Sequence, residues 1–100
     1  MTEQNYEIRH IEGRNRFEII VDGREAGYAS YVPREGNVLD FNHTVVDQAF
    51  RGRGLSVPLI RAALDHAREE GATITPSCSA VAHFIKKNED YRDLCEDRTL

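Results

Sequence analysis

The run Val45-Val46-Asp47-Gln48-Ala49-Phe50-Arg51-Gly52-Arg53-Gly54-Leu55-Ser56 constrains this chain more than any other stretch. Apolar residues alternate with polar ones before it and recur at helical spacing after it, so it carries a strand into an amphipathic helix. Its two glycines can expose backbone N–H groups, two arginines flank them, and a helix N-terminus follows at once. Free amides and the positive end of a helix dipole make such a junction a ready seat for a phosphate or diphosphate. The same residues also read as a glycine-rich turn with two solvated arginines. The run is not a Rossmann fingerprint, which needs Gly-x-Gly-x-x-Gly after the first strand of a parallel sheet. Nor is it a Walker loop, which needs Gly-Lys followed by Ser or Thr.

Four strands are expected ahead of the loop. Residues 6–11 alternate polar and apolar, residues 12–15 supply a turn, and Phe17, Ile19 and Val21 give residues 16–21 one apolar face. Asp22-Gly23 is a strong hairpin signal, because both central positions of a type I′ turn need positive φ. A third strand over 25–32 with Tyr28 and Tyr31, a turn over 33–37 and a fourth strand over 38–46 complete an antiparallel meander. Past the loop, Val57, Ile60, Leu64 and Ala67 fall at i, i+3, i+7 and i+10, and Leu59 and Ala63 widen the stripe. That spacing predicts a helix over 56–70, with Ser56 as its N-cap, Pro58 tolerated in its first turn and Gly71 ending it. A short strand over 72–76 and a second helix over 79–87, with Val81, Phe84 and Ile85 apolar, come next. The tail from Asn88 to Leu100 is charged, with one more turn around 91–94 and a fraying end. The order is β-β-β-β-α-β-α, an α/β (α+β) class in which the long helix is the crossover that lets the fifth strand lie parallel to the fourth.

Composition narrows the function classes. One hundred residues make a single domain, 1–100, and a net charge of −4 argues against a nucleic-acid partner, which calls for a basic surplus. No apolar run approaches the roughly 18–20 residues of a membrane span, and Met1 to Asn5 lack the apolar stretch of a signal peptide, so a cytoplasmic protein without a membrane partner is expected. Cys78 and Cys95 lack metal spacing and read as free thiols in a reducing compartment. The histidines at 10, 43, 66 and 83 form no close pair, so no metal site is expected.

Arg51-Gly52-Arg53-Gly54-Leu55-Ser56 resembles the Arg/Gln-x-x-Gly-x-Gly/Ala signature of the GNAT superfamily of N-acetyltransferases. Asp40-Phe41-Asn42-His43-Thr44, Thr75-Pro76-Ser77-Cys78 and Phe84-Ile85-Lys86-Lys87-Asn88-Glu89-Asp90-Tyr91 extend the resemblance to its small single-domain YjdJ-like branch, over nearly the whole chain. The resemblance implies a GNAT-like fold, acetyl-CoA (coenzyme A) as acetyl donor and a primary amine, on a small molecule or a protein, as acceptor. The alternative it leaves is a CoA-binding module with little or no catalysis. It also implies the diphosphate in the loop Arg51, Gly52, Arg53, Gly54, Leu55 and Ser56, each charge-assisted hydrogen bond contributing ~1.5–3 kcal/mol. The pantetheine would lie in a cleft between the fourth and fifth strands, paired with the backbone of Thr44, Val45 and Val46, and Asn88 and Tyr91 would pack against the cofactor. Ser56 stands where the family has Gly or Ala. Lys86, Lys87 and Arg92 are either phosphate ligands or an ordinary wet helix face.

Phe84 falls where many members carry a tyrosine that protonates the departing thiolate, a role phenylalanine cannot fill. Cys78 is its natural replacement, as acid or as acceptor of the acetyl group, since it precedes a helix N-terminus that would lower its pKa. A free cysteine is also commonly a small buried hydrophobe. His43 would be the general base, directly or through water, because an amine of pKa ~10.4 must lose a proton before it attacks. Its other reading is a hydrogen-bond partner within the sheet.

Overall fold

The computed structural model describes residues 6–95. Five strands form one mixed sheet in chain order: β1 (Tyr6–Ile11), β2 (Arg16–Val21), β3 (Arg24–Arg34), β4 (Val38–Val46) and β5 (Thr73–Pro76). The first three pairings are antiparallel; β4 and β5 are parallel, joined through helix α1 (Ser56–Glu69). Helix α2 (Ser79–Lys87) and a 3-10 segment, Glu89–Leu94, follow. The α+β meander with a parallel fifth strand is therefore the architecture. The polar N-terminal five residues and the expected fraying beyond Cys95 lie outside the described residues.

Period-two alternation sets one apolar face. Phe17, Ile19 and Val21 of β2, Ala29 and Tyr31 of β3 and Phe41 of β4 turn toward the helices. Against them α1 buries Leu59, Ile60, Ala63, Leu64 and Ala67, and α2 buries Val81, Phe84 and Ile85. Each such Leu, Ile, Val or Phe contributes about 1.5–3 kcal/mol by leaving water. Val57, expected in the stripe, is 44% exposed: it stands at the margin of the arc those five α1 residues define. The opposite face of the sheet is open and dressed by polar side chains. There Arg16 pairs with Glu18 at 2.7 Å and Glu25 at 3.5 Å, its guanidinium lying over the Tyr28 ring.

Strand β3 runs two residues past its expected end, through Pro33 to Arg34. Its pairing with β2 stops at Arg16–Ser30, so a proline without an N–H sits where only one neighbour remains.

The feature that positions the site is a fork. Strand β4 is nine residues long, but β5 pairs only with Val38, Leu39, Asp40 and Phe41. Pro76 has no N–H for a further rung, and the Ser77 N–H turns back to the Thr75 carbonyl at 3.1 Å. The Cys78 N–H returns once, to the Phe41 carbonyl at 2.9 Å, and the chain then enters α2. Across this last rung the Ser77 hydroxyl donates to Asp40 Oδ1 at 2.6 Å, and Arg34 pairs with Oδ2 at 2.9 Å. The Ser77 bond, with help from Arg34 and against the opposing effect of burial, holds the Asp40 carboxyl below its usual range. On its other edge β4 carries a bulge. Ser30 faces His43 while Tyr31 faces Phe41, leaving Asn42 extra, and the Ser30 hydroxyl donates to Asn42 Oδ1 at 2.8 Å.

Replacing Ser77 with Ala removes the shortest bond across the fork and is expected to destabilise the fold by ~1–2 kcal/mol at neutral pH, read from urea unfolding. No loss would mean that Arg34 alone satisfies Asp40. A second expectation concerns His10, whose ring stacks on Phe17 at 4.2 Å, meets Tyr31 Oη at 2.6 Å and abuts His66 at 4.5 Å. Burial, then His66, pushes the His10 imidazole below its usual pKa, against the weaker pull of Glu12 and Glu70. As pH falls through about 6.5 the unfolded chain binds this proton first, so stability falls until the folded imidazole titrates as well. Urea midpoints should drop across that window, and His10→Gln should flatten the drop; an unchanged slope in the variant would assign it to another group.

Candidate functional site

Beyond the fork, no strand pairs with residues 42–46 on the β5 side among the described residues, so that edge of β4 offers its backbone groups to the cleft. Gly27 shapes this edge from behind. A Cβ there would come 2.5 Å from the Val45 carbonyl oxygen, so only glycine lets β3 approach β4 at this point.

The edge leads directly into the loop. Asp47 donates its N–H to the Ala26 carbonyl at 2.7 Å and accepts from the Ala49 N–H at 2.9 Å, starting the 3-10 turn Gln48–Phe50. Phe50 and Leu55 are buried and pin the two ends of the loop, while Arg51, Gly52, Arg53 and Gly54 between them are exposed. Gly52 and Gly54 take φ of +86° and +69°, which L side chains adopt only under strain, and a Cβ on either would meet open space. The loop thus keeps its backbone bare on the outside.

Helix α1 begins at Ser56 with Leu55 in the cap position, and no side chain caps it. The expected capping role of Ser56 is corrected: Ser56 is already the first helical residue, past the position from which a hydroxyl reaches the N2 or N3 amide. The helix end keeps its dipole for an outside acceptor, although the Val57 N–H turns back to the Gly54 carbonyl at 3.3 Å and Pro58 has none. Arg51 Nε donates to the Val46 carbonyl at 3.1 Å, and the Arg53 guanidinium lies 5.1 Å from the Phe50 ring centre. Both cations therefore stand over the junction of β4 and α1.

Cys78 occupies the N-cap position of α2, half-buried, with Sγ 3.6 Å from Thr44 Oγ1. Burial pushes its thiol up, but hydrogen bonds from the Thr44 hydroxyl and from the backbone of Val81, Ala80 and Thr44 outweigh it, leaving the pKa below the usual value. His43 stands elsewhere. It pairs with Ser30 on the open face and is exposed, whereas Thr44 pairs with buried Ala29 on the helix face. The two expected catalytic side chains thus flank β4 from opposite faces.

The structure does not bring the tail residues to the cleft through their polar atoms. Asn88 Nδ2 donates to the Phe84 carbonyl at 2.8 Å, closing α2. Tyr91 is buried, its hydroxyl donating to Asp65 Oδ1 at 2.7 Å. Phe84 packs in the core against Tyr91 with ring centres 5.4 Å apart, and Lys86 and Lys87 are exposed. Three features of the site have no local signature in the sequence: the close approach at Gly27, the Asp40–Ser77 bond and the Thr44 hydroxyl on Cys78. Each depends on which residues the register brings together. Among the described residues no three His, Cys, Asp or Glu side chains converge as metal ligands, and no helix is long and apolar enough to cross a membrane.

Comparison with known proteins agrees with this geometry. The family model described as GCN5-related N-acetyltransferase matches residues 16–94. Protein NATD1 of Bos taurus is 34% identical over 84 residues, covering 81% of this chain and 73% of the relative; the human NATD1 is 33% identical over the same length and shares. Among solved structures, the solution structure of a GCN5-like protein from Staphylococcus aureus superposes with a TM-score of 0.70 at 30% identity, covering 93% of this chain and 90% of that one. A fork with a bare β4 edge, a glycine loop and an uncapped helix end, matched along most of its length, places the chain in the GCN5-related N-acetyltransferase family.

Proposed function

We propose that the protein is an acetyl-CoA-dependent N-acetyltransferase that acylates a primary amine. The observation that carries this reading is the continuity of the unpaired β4 edge with the bare loop and the uncapped N-terminus of α1. An extended chain of amides ending in a diphosphate matches that continuity. Backbone of Thr44, Val45 and Val46 would take the amides, and Arg51, Gly52, Arg53, Gly54, Leu55 and Ser56 the diphosphate. Arg51 would exchange its bond to the Val46 carbonyl for the anion. Asn88 and Tyr91, engaged by Phe84 and Asp65, would fix α2 as a wall of the cleft.

Bound acetyl-CoA would supply an activated acetyl thioester. The Thr44 N–H, aimed at the mouth of the fork beside Cys78, is a fixed donor for charge developing on a carbonyl oxygen there. Cys78 holds a proton at Sγ for the departing sulfur. His43, on the open face, takes the proton that the amine must lose, directly or through water. The acceptor would therefore approach from the open face, and donor and acceptor would meet through the gap between the strands. A reducing, cytoplasmic setting suits a thiol that must stay free.

Titration with acetyl-CoA, CoA and ATP followed by thermal unfolding tests the binding. At about a hundredfold excess over Kd, CoA species should raise the midpoint by roughly 10 °C, and ATP by much less. Equal stabilisation by ATP would leave only a generic anion site. Cys78→Ala should lower acetyl transfer to a panel of primary amines by about 10²-fold or more without changing acetyl-CoA affinity. Unchanged turnover would remove Cys78 from the chemistry, and tight binding without transfer to any amine would leave a CoA-binding module.

A further inference from the structure

Thr44 enters the proposed function only through its backbone, yet its side chain is turned onto the sulfur. Cys78 Sγ lies 3.6 Å from Thr44 Oγ1, within reach of an S–H···O bond. The bulge at Asn42 makes this contact possible. Were Asn42 paired like its neighbours, alternation from Phe41 would send Thr44 to the open face and His43 to the helices. Around the sulfur stand backbone donors of Val81, Ala80 and Thr44, which can give a hydrogen to a thiolate but cannot accept one from a thiol. The Thr44 hydroxyl alone in this set can do both.

We propose that Thr44 is the positioning residue of the acid: its Oγ1 accepts the Cys78 S–H in the resting protein and donates its own hydrogen to the sulfur once the proton has left. This rests on the reading of Cys78 as the acid. In the transfer step the bond from amine nitrogen to acetyl carbon forms, and the carbon–sulfur bond breaks with its electron pair left on the departing sulfur. Cys78 Sγ gives that sulfur its proton. The proton released by the amine leaves through His43 or water, and the Cys78 thiolate regains one from solvent. Thr44 neither gains nor loses a proton; its Oγ1 holds the S–H until the departing sulfur takes that proton, and its own hydroxyl hydrogen then steadies the thiolate that remains. The lowered thiol pKa, in which the Thr44 hydroxyl is the largest favourable contribution, agrees with this role.

The test is the titration midpoint of the Cys78 thiol in the protein without ligand, followed by thiolate ultraviolet absorbance. The trace of Cys78→Ala, which keeps Cys95, is subtracted. Thr44→Val, which keeps the shape of the side chain but loses the hydroxyl, should raise the midpoint by about one pH unit. Iodoacetamide modification at neutral pH, located to Cys78 by peptide mass, should slow about threefold, since lost thiolate is partly offset by higher nucleophilicity. Thr44→Ser should keep both values close to those of the parent. An unmoved midpoint in Thr44→Val, or a shift of equal size in Thr44→Ser, would overturn the inference. Calorimetry with acetyl-CoA on the parent protein judges the proposed function separately, because the thiol midpoint is read without it.

Discussion

The pairing of β4 with β5 stops at Phe41 and Pro76, and every functional element is arranged around that stop. A backbone edge left unpaired inside a core would be costly, because each orphan N–H or C=O loses its water without gaining a partner. The edge of residues 42–46, still paired with β3 on its other side, avoids this by opening to solvent where it parts from β5. Water can satisfy it in the free protein, and a ligand rich in amides can replace that water bond for bond. Proline supplies the stop cheaply: it lacks the donor that would continue the ladder. The Asp40–Ser77 bond then fixes where the strands part, on the rung below the cleft.

The fork also divides the chemistry between two environments. On the helix side, Thr44 and Cys78 border the apolar core, where burial opposes charge and a few directed hydrogen bonds decide whether a thiolate can exist. On the open side, His43 is exposed opposite Ser30. The acid of the proposed reaction, Cys78, which must hold its proton until a leaving group appears, belongs in the first setting. The base of the proposed reaction, His43, which must pass protons away, belongs in the second.

Local physics was legible in the sequence. The alternation in β2, the Asp22-Gly23 turn with φ of +51° and +78°, and the loop glycines all follow from residues within a few positions of one another. The five-strand order followed too, since among the described residues the one helix long enough for a crossover lies between β4 and β5. Reading failed where the answer lay in long-range register. Ser56 looked like a cap because the loop phase was unknown, and Val57 looked buried because helical spacing does not fix the centre of a stripe. The Asp40–Ser77 bond leaves no mark in the local sequence because the two residues lie 37 positions apart.

The bulge at Asn42 is the sharpest case, because it changes which residues belong to the site. One extra residue reverses the facing of everything after it, so His43 and Thr44 exchange sides relative to a regular strand. With regular pairing, an imidazole would enter the apolar side and the hydroxyl would face water. The bulge is not free to slip: Ser30 holds Asn42 through a side-chain bond at 2.8 Å, and Tyr31 and Phe41, with tilted rings 5.6 Å apart on the helix face, fix the register just below it. The residue that decides which side chains face the cleft is thus one whose own side chain is bonded back to β3, through Ser30. Its effect passes through the geometry of β4, which delivers a hydroxyl to the sulfur and a histidine to the solvent from adjacent positions in the chain.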